Sequence, residues 1–187
     1  MKTAVFTGYK SYELGIYQDQ DPKVGYIKLA LKKRLLALIE EGLEWVLISG
    51  QLGVEMWTGQ CVLELQEEGY EIQLGVIPPF ENQESRWSEG QQLAYEELCA
   101  RADFFEPIYK GEYKGPYQFT ARDKWLIEKS GGCVILMDEE YPGSCQYFHR
   151  EALKKAEIQA YTIMLITPFD LDEAVQEVEM QNPDFWS

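Results

Sequence analysis

The chain is poor in the residues that build zinc sites and nucleophilic catalytic sets. It has a single histidine, His149, which falls within a predicted helix, and its four cysteines include no Cys-x-x-Cys pair. We therefore expect neither a Cys/His zinc site nor a Ser-His-Asp or Cys-His catalytic set. The cysteines, at positions 61, 99, 133 and 145, are expected to be small core residues in a reducing compartment.

Basic residues are also scarce. The chain has 17 Lys and Arg against 32 Asp and Glu, which gives a formal net charge of −15. This balance argues against a broad electrostatic surface for DNA or anionic lipid, so nucleic acid is not an expected partner. A small anionic ligand stays compatible with it, because a few backbone amides and one arginine create a local positive pocket.

Long apolar runs and two common nucleotide motifs are missing. No segment reaches the ~18 consecutive apolar residues of a membrane span, and the N-terminus begins with a predicted strand rather than a secretory signal. We therefore expect a cytoplasmic protein without a membrane partner. The sequence contains neither Gly-x-Gly-x-x-Gly nor Gly-Lys-Ser/Thr, which argues against a dinucleotide fingerprint and a P-loop.

Strand-like and helix-like segments alternate along the chain. Predicted strands cover residues 3–7, 45–48, 72–77, 104–108, 133–137 and 161–166. Predicted helices cover residues 22–42, 54–67, 88–101, 119–129 and 147–156. Asp170 is predicted to cap a last helix, which an irregular tail of residues 182–187 follows. Asp21 and Ser88 have the pattern of helix N-caps.

The central strands are continuous apolar runs, which is typical of a parallel sheet covered on both faces. The sequence therefore predicts a Rossmann-like, doubly wound α/β fold with a mainly parallel sheet, as a single domain over residues 1–187. Ligands of such folds bind at the carboxyl ends of the strands. The loops after the strands are therefore the places for functional residues.

The turn Gly50–Gly53 follows the buried strand 45–48 and leads into the helix 54–67. A glycine-rich turn at a helix N-terminus exposes backbone N–H groups where the helix dipole favours anions. We interpret it as a phosphate site, with a plain tight turn as the alternative. A bulky residue at Gly53 is then expected to abolish binding and leave the fold intact. Glu55 would repel a phosphate, so it either complements the helix dipole or contacts a ribose or base or exchanges a proton.

Other predicted loops and helix starts carry aromatic and charged candidates. Trp57 either stacks on a base or packs in the core. Trp87 follows Phe80 in one loop and is either a ligand platform or a lid or edge residue. Arg122 either holds a phosphate bidentately or is a solvated surface residue. Asp123 is expected to complement the helix dipole.

An acidic loop follows the strand 133–137. Asp138, Glu139 and Glu140 either bind Mg²⁺, form an acid–base set, or belong to a solvated loop. Gly143 and Ser144 end this loop at the next helix start and offer a second amide cradle for an anion.

Five blocks of sequence carry a resemblance to a known family. They are residues 6–10 (Phe-Thr-Gly-Tyr-Lys), 49–57 (Ser-Gly-Gln-Leu-Gly-Val-Glu-Met-Trp), Pro79–Phe80 with Trp87, 118–123, and 138–140 with Gly143–Ser144. With these blocks nearly the whole chain resembles the YpsA family of the SLOG superfamily. Relatives of that family include the DNA-processing protein DprA and the LOG cytokinin-activating phosphoribohydrolases.

The resemblance implies a Rossmann-like domain that binds a nucleotide-type ligand, such as ADP-ribose, NAD or a related nucleotide, across the strand ends. In LOG enzymes a Pro-Gly-Gly-x-Gly-Thr motif with a downstream Glu and an Arg carries N-glycosidic hydrolysis. This chain instead has Tyr-Pro-Gly-Ser-Cys at residues 141–145. The wider family also suggests a role in bacterial cell division or stress signalling.

Three hypotheses follow for the function. The leading one is a nucleotide-binding sensor or regulatory protein without a certain cofactor or a metal. Its predicted ligand-binding residues are Gly8, Tyr9, Lys10, Ser49, Gly50, Gln51, Leu52, Gly53, Glu55, Trp57, Phe80, Trp87, Arg122, Asp138, Gly143 and Ser144. The second is a weak nucleotide N-glycosidase with Glu55 or Glu139 as the acid–base group. The third is a protein-interaction scaffold with a vestigial cleft, and homo-oligomers and protein partners stay open.

Overall fold

A computed structural model describes residues 1–182, so the predicted irregular tail beyond Asn182 lies outside the described residues. Within them, six strands alternate with six α-helices. The strands are β1 (Thr3–Gly8), β2 (Trp45–Ile48), β3 (Gln73–Val76), β4 (Phe104–Phe105), β5 (Gly132–Leu136) and β6 (Thr162–Ile166). The helices are α1 (Pro22–Glu40), α2 (Val54–Glu67), α3 (Glu89–Arg101), α4 (Tyr117–Glu128), α5 (Cys145–Ile158) and α6 (Pro168–Gln181). A 3₁₀-helix, Ser11–Leu14, follows β1.

All six strands pair in parallel in one sheet, in the order β4-β3-β2-β1-β5-β6. The chain builds outward from β1 to β4 and then returns across the sheet to β5, on the other side of β1. This reversal of strand order is the topological switch point beside which doubly wound folds bind ligands. The predicted Rossmann-like fold is thus confirmed, while the single domain over residues 1–187 stays a prediction.

Two hydrophobic layers cover the sheet, and successive residues of β1 belong to different layers. Ala4 and Phe6 belong to the layer formed with α1, α2, α3 and α6, whereas Val5 belongs to the layer formed with α4 and α5. Because side chains alternate along a strand, Thr7 faces the same side as Val5. Thr7 is therefore directed toward the space between the sheet, α4 and α5.

The predicted strand 104–108 is wrong in its length, since β4 has only two residues. Pro107 and the facing Pro78–Pro79 pair have no N–H to donate, so a regular ladder cannot continue past Phe105. The two segments stay side by side, because the Ile108 N–H donates to the Pro78 carbonyl at 2.9 Å.

Helix capping agrees with the sequence at two helices and corrects it at a third. Asp21 accepts a hydrogen bond from the Lys23 N–H at the start of α1, and Ser88 forms a capping box with Gln91 at the start of α3. The N-cap of α6 is Thr167 and not Asp170, which is the third helical residue and accepts from the Thr167 N–H at 2.8 Å. Pro168 occupies the first helical position, where its missing N–H has no cost.

Candidate functional site

A cavity of about 500 Å³ lies at the carboxyl ends of β1 and β2, between the sheet, α4 and α5. Cavities of this size hold small molecules and cofactors in other proteins. β1 and the loop after it contribute Val5, Thr7, Gly8 and Lys10, and the turn after β2 with the start of α2 contributes Ser49, Gln51 and Glu55. The two helices and the residues that cap their starts contribute Pro116, Phe119, Thr120, Arg122, Asp123, Leu126, Ser144, Cys145, Tyr147 and Phe148.

Glu55 is fixed at the edge of this cavity by three hydrogen bonds. Its Oε1 accepts from the Ser49 N–H at 2.6 Å and from the Ser49 hydroxyl at 2.8 Å. Its Oε2 accepts from the Thr7 hydroxyl at 3.2 Å. Because Glu55 lies in the first turn of α2, the helix dipole adds to these bonds in stabilising the negative charge. Glu55 therefore joins β1, the turn after β2 and α2 at one point.

Arg122 and Asp123 face Glu55 from α4 and form an ion pair. The Arg122 Nη2 and Nε lie 2.9 and 3.0 Å from Asp123 Oδ1, and the two side chains are 15% and 8% exposed. The Arg122 Nη1 also reaches the Ser49 hydroxyl at 3.5 Å, and its guanidinium lies 5.3 Å from the centre of the Phe119 ring. Ser49 thus links the carboxylate of Glu55 to the guanidinium of Arg122.

Burial raises the pKa of Asp123, and the Arg122 guanidinium opposes this shift. The nearby carboxylates of Glu55 and Glu151 raise the pKa of Asp123 further. From the sequence, Asp123 is predicted to complement a helix dipole, but α4 begins at Tyr117, so this residue lies almost two turns inside the helix. The structure therefore adds a second carboxylate to the candidate site.

Several cavity residues that were not predicted follow from helical and strand periodicity. Phe119, Asp123 and Leu126 lie three or four positions from one another or from the predicted Arg122, so they share one face of α4 with it. Thr7 follows Val5 by two positions on one face of β1. The spacing was visible in the sequence, but which face of α4 points to the sheet was not.

The turn Gly50–Gly53, which is predicted to bind phosphate, packs at Gly53 against the loop that follows β1. A Cβ on Gly53 would lie 2.5 Å from the Ser11 nitrogen and 2.6 Å from the Tyr9 carbonyl oxygen. The Val54 N–H donates to that same Tyr9 carbonyl at 3.1 Å. The expectation that a bulky residue at Gly53 leaves the fold intact is therefore wrong, because the loop after β1 occupies the space.

Residues of this turn divide between two sides. Ser49 and Gln51 line the cavity, whereas Leu52 and Gly53 line a separate hollow of about 40 Å³. Gly50 has a φ of +84°, and a Cβ there would lie 2.8 Å from the Tyr95 ring. The residues predicted to form one phosphate site are therefore divided between two separate spaces.

Both tryptophan candidates lie away from the cavity. Trp57 is 5% exposed and belongs to the core layer of α1, α2 and α3, which favours packing over stacking on a ligand. Trp87 packs edge-on against Tyr95, with ring centres 5.3 Å apart. Phe80 does not line the cavity but packs behind it, 5.8 Å from the Phe119 ring.

The remaining candidates in the loop after β1 are split. Gly8 and Lys10 line the cavity, and a Cβ on Gly8 would lie 2.8 Å from the Val54 side chain. Tyr9 points away, where its hydroxyl accepts from the Asp138 N–H at 2.8 Å and donates to the Tyr141 carbonyl. Gly8 therefore allows close packing of α2 on β1, and Tyr9 fastens the acidic loop to β1.

The second predicted amide cradle is filled by a side chain of the protein itself. The Ser144 N–H and hydroxyl donate to the Glu13 carboxylate at 2.9 and 2.6 Å, and the Lys10 N–H donates to it at 2.9 Å. Burial acts to raise the pKa of Glu13, but these hydrogen bonds outweigh it and the pKa lies below its ordinary value. Ser144 lines the cavity and Gly143 does not.

The acidic loop does not converge on a common point. Asp138 is half-buried and accepts a hydrogen bond from the Glu140 N–H at 3.0 Å, whereas Glu139 and Glu140 are exposed. The predicted ligand residue Asp138 lies outside the cavity lining, as do Glu139 and Glu140. In residues 1–182, no group of three His, Cys, Asp or Glu side chains is placed to hold a metal ion. Over the same residues, no helix is long and apolar enough to cross a membrane.

Comparison with known proteins gives concordant matches over nearly the whole chain. A family model described as the YspA SLOG family (YpsA) matches residues 4–171. A UPF0398 protein of Oceanobacillus iheyensis is 52% identical over 186 residues, covering 100% of both chains. UPF0398 proteins of Halalkalibacterium halodurans and Bacillus pumilus are 44% and 46% identical, covering 97% and 99% of this chain and 96% of each relative. The names of these relatives specify no ligand or reaction.

Proposed function

Since the chain belongs to the YpsA family of SLOG proteins, we propose that its cavity binds a nucleotide-type ligand such as ADP-ribose, NAD or a nucleoside phosphate, and that the protein acts as a sensor or regulator. The observation that carries this proposal is the position of the 500 Å³ cavity at the carboxyl ends of β1 and β2, beside the switch point of the sheet. Clefts at this place are the usual nucleotide sites of doubly wound folds.

Glu55 is suited to hold a ribose hydroxyl. An ionised carboxylate has about four lone-pair positions, and Ser49 and Thr7 occupy three of them. One position is left to accept a hydroxyl hydrogen from a ligand. The fixed carboxylate loses little conformational freedom on binding, which favours affinity.

Arg122 and Lys10 supply positive charge at the cavity in a protein of net charge −15. The guanidinium has five N–H donors, and the pair with Asp123 uses two of its nitrogens. Its remaining donors are suited to a phosphate oxygen. The positive charge is local, which fits a small anion better than a polyanion.

Isothermal titration calorimetry with ADP-ribose, NAD and AMP tests the proposal. We expect at least one of them to bind tighter than ~1 mM, and we expect the variant Arg122→Ala to bind it at least ~10-fold more weakly, since a charge-assisted contact is lost. Arg86→Ala is the matched control, because Arg86 is exposed and lies outside the cavity lining. If none of the three ligands reaches ~1 mM, or if both variants bind alike, the proposal fails.

One observation favours N-glycosidase activity as a second candidate function. Glu55 and Asp123 face one cavity, and the raised pKa of Asp123 brings it closer to the range in which a carboxyl group exchanges protons. Asp123 would give a proton to the departing base as the C1′–N bond breaks. Water would add to C1′ and give a proton to Glu55. Glu139 is not retained as a candidate acid–base group, because it is exposed and does not line the cavity.

Release of adenine from AMP, followed by chromatography, tests this candidate. We expect Asp123→Asn to abolish release, and we expect the rate to fall as the pH rises through the pKa of Asp123, since the acid is then ionised. Glu139→Gln should keep the full rate. Binding of nucleotides without any release of base would restrict the protein to the sensor function.

A further inference from the structure

The cavity changes character with depth. On α4, Leu126 lies about 10 Å further along the helix axis than Phe119, at 1.5 Å per residue. Because α4 runs from the carboxyl edge of the sheet back to the start of β5, this direction leads into the protein. On β1, Val5 lies about 6.6 Å deeper than Thr7. The cavity therefore has a deep end, a middle level and a mouth.

The deep end is apolar. Val5 and Leu126 line it, and Phe148 in the first turn of α5 lines the same cavity; the three residues are 1%, 3% and 5% exposed. These three side chains have no hydrogen-bonding groups, so a phosphate or a ribose placed against them would lose its hydration without compensation. A planar, uncharged ring is suited to this place.

The middle level is polar and carries the charged side chains of Glu55 and Arg122. Thr7 lies level with Ser49, because the register pairs Val5 with Leu47 two residues earlier. Glu55 bonds to both, and Arg122 reaches Ser49 from α4. The mouth carries Lys10 and Tyr147, whose side chain is 61% exposed although it lines the cavity.

We propose that the ligand enters with its aromatic base first, so that the base lies on Val5, Leu126 and Phe148, the ribose lies at Glu55, and the phosphates extend from Arg122 toward the mouth. This inference rests on the proposed function and adds the orientation and the base subsite. Because the deep end has no polar side chain, it selects for a flat ring by shape and does not select one purine over another by hydrogen bonds.

Calorimetry with AMP, GMP and ribose 5-phosphate tests the orientation. We expect AMP and GMP to bind within ~10-fold of each other, and ribose 5-phosphate, which lacks the base, to bind at least ~10-fold more weakly than AMP. Phe148→Leu keeps an apolar side chain of similar size but removes the ring. It should weaken AMP ~5-fold and leave ribose 5-phosphate unchanged.

Tyr147→Ala is the matched control at the mouth, and Leu126→Ala is a second test of the deep end should Phe148→Leu unfold. Tyr147→Ala should leave the ratio of AMP to ribose 5-phosphate affinity unchanged. If this ratio falls in Tyr147→Ala and not in the deep variants, the base lies at the mouth and the inference is overturned. Equal binding of AMP and ribose 5-phosphate overturns the base subsite alone, whereas no binding by any nucleotide overturns the proposed function with it.

Discussion

Gly53 holds the start of α2 against the loop that follows β1. Its φ and ψ are +102° and −133°, a backbone conformation that residues other than glycine rarely adopt. The backbone of Tyr9–Ser11 also lies within 3 Å of the place that a Cβ would take. Strain and overlap therefore coincide at this residue, which makes it a structural glycine beside the candidate site.

We predict that Gly53→Ala lowers the free energy of unfolding by about 2 to 5 kcal/mol, the sum of the backbone strain and the overpacking. Gly69→Ala is the matched control at the other end of α2, because its φ is +99° and nothing lies within 4 Å of its Cβ position. It should cost only about 1–2 kcal/mol. Urea denaturation measures the free energy of unfolding of both variants. Equal losses would show that overlap with the loop after β1 does not contribute to the effect of Gly53→Ala.

At the scale of elements, Glu13 joins the 3₁₀-helix after β1 to the first turn of α5. Its carboxylate accepts hydrogen bonds from Ser144 and from the Lys10 N–H. It thereby pairs with an N–H group that the start of α5 would otherwise leave without a partner in the helix. The start of α5 lines the cavity through Ser144 and Cys145. The bond network of Glu13 therefore sets the position of one cavity wall.

We predict that Glu13→Gln lowers the free energy of unfolding by about 1 kcal/mol at pH 7, since charge-assisted bonds at a partly exposed site are lost. The folded-state pKa of Glu13 lies below its ordinary value of 4.5, so its stabilising effect is complete above that pH. The effect is lost as the pH falls through the folded-state pKa.

Denaturation curves between pH 3 and pH 7 check this dependence. The difference between Glu13→Gln and the unsubstituted protein should shrink below about pH 4.5. Glu139→Gln is the control, because that carboxylate is exposed, and it should change the free energy of unfolding by less than about 0.5 kcal/mol at pH 7. A difference that grows toward low pH would contradict the lowered pKa.

The elements also show which parts of the structure are local in sequence and which are not. β2 and β5 follow from continuous apolar runs, and the caps Asp21 and Ser88 follow from short-range hydrogen bonds, so both were predictable. The length of β4 was predicted wrongly, because its ladder is limited by prolines in two segments that lie far apart along the chain. The roles of Gly53 and Glu13 could not be predicted, since their neighbours lie some 40 and 130 residues away along the chain. For the same reason the sequence located the edge of the site through Ser49 and Glu55 but did not find Asp123.

At the scale of the whole molecule, the net charge of −15 acts on the folded state as a self-repulsion. Ion pairs such as Lys32 with Glu68 at 2.6 Å oppose it locally, but their side chains are 28% and 50% exposed and such pairs contribute at most about 1 kcal/mol. The repulsion among the excess carboxylates is spread over the surface. Salt weakens both the attraction within the ion pairs and the repulsion among the carboxylates. Because negative charges are in excess, the repulsion is the larger of the two.

We therefore predict that raising NaCl from 0.01 to 0.2 M increases the free energy of unfolding by about 1 kcal/mol at pH 7, because the Debye length falls from about 30 Å to below 10 Å. Urea denaturation at the two salt concentrations measures the change. Repeating it at pH 5 is the control, since the net charge is small near the pI of about 4.5 and the salt effect should nearly vanish. A loss of stability with salt at pH 7 would mean that the surface ion pairs outweigh the repulsion among the excess carboxylates.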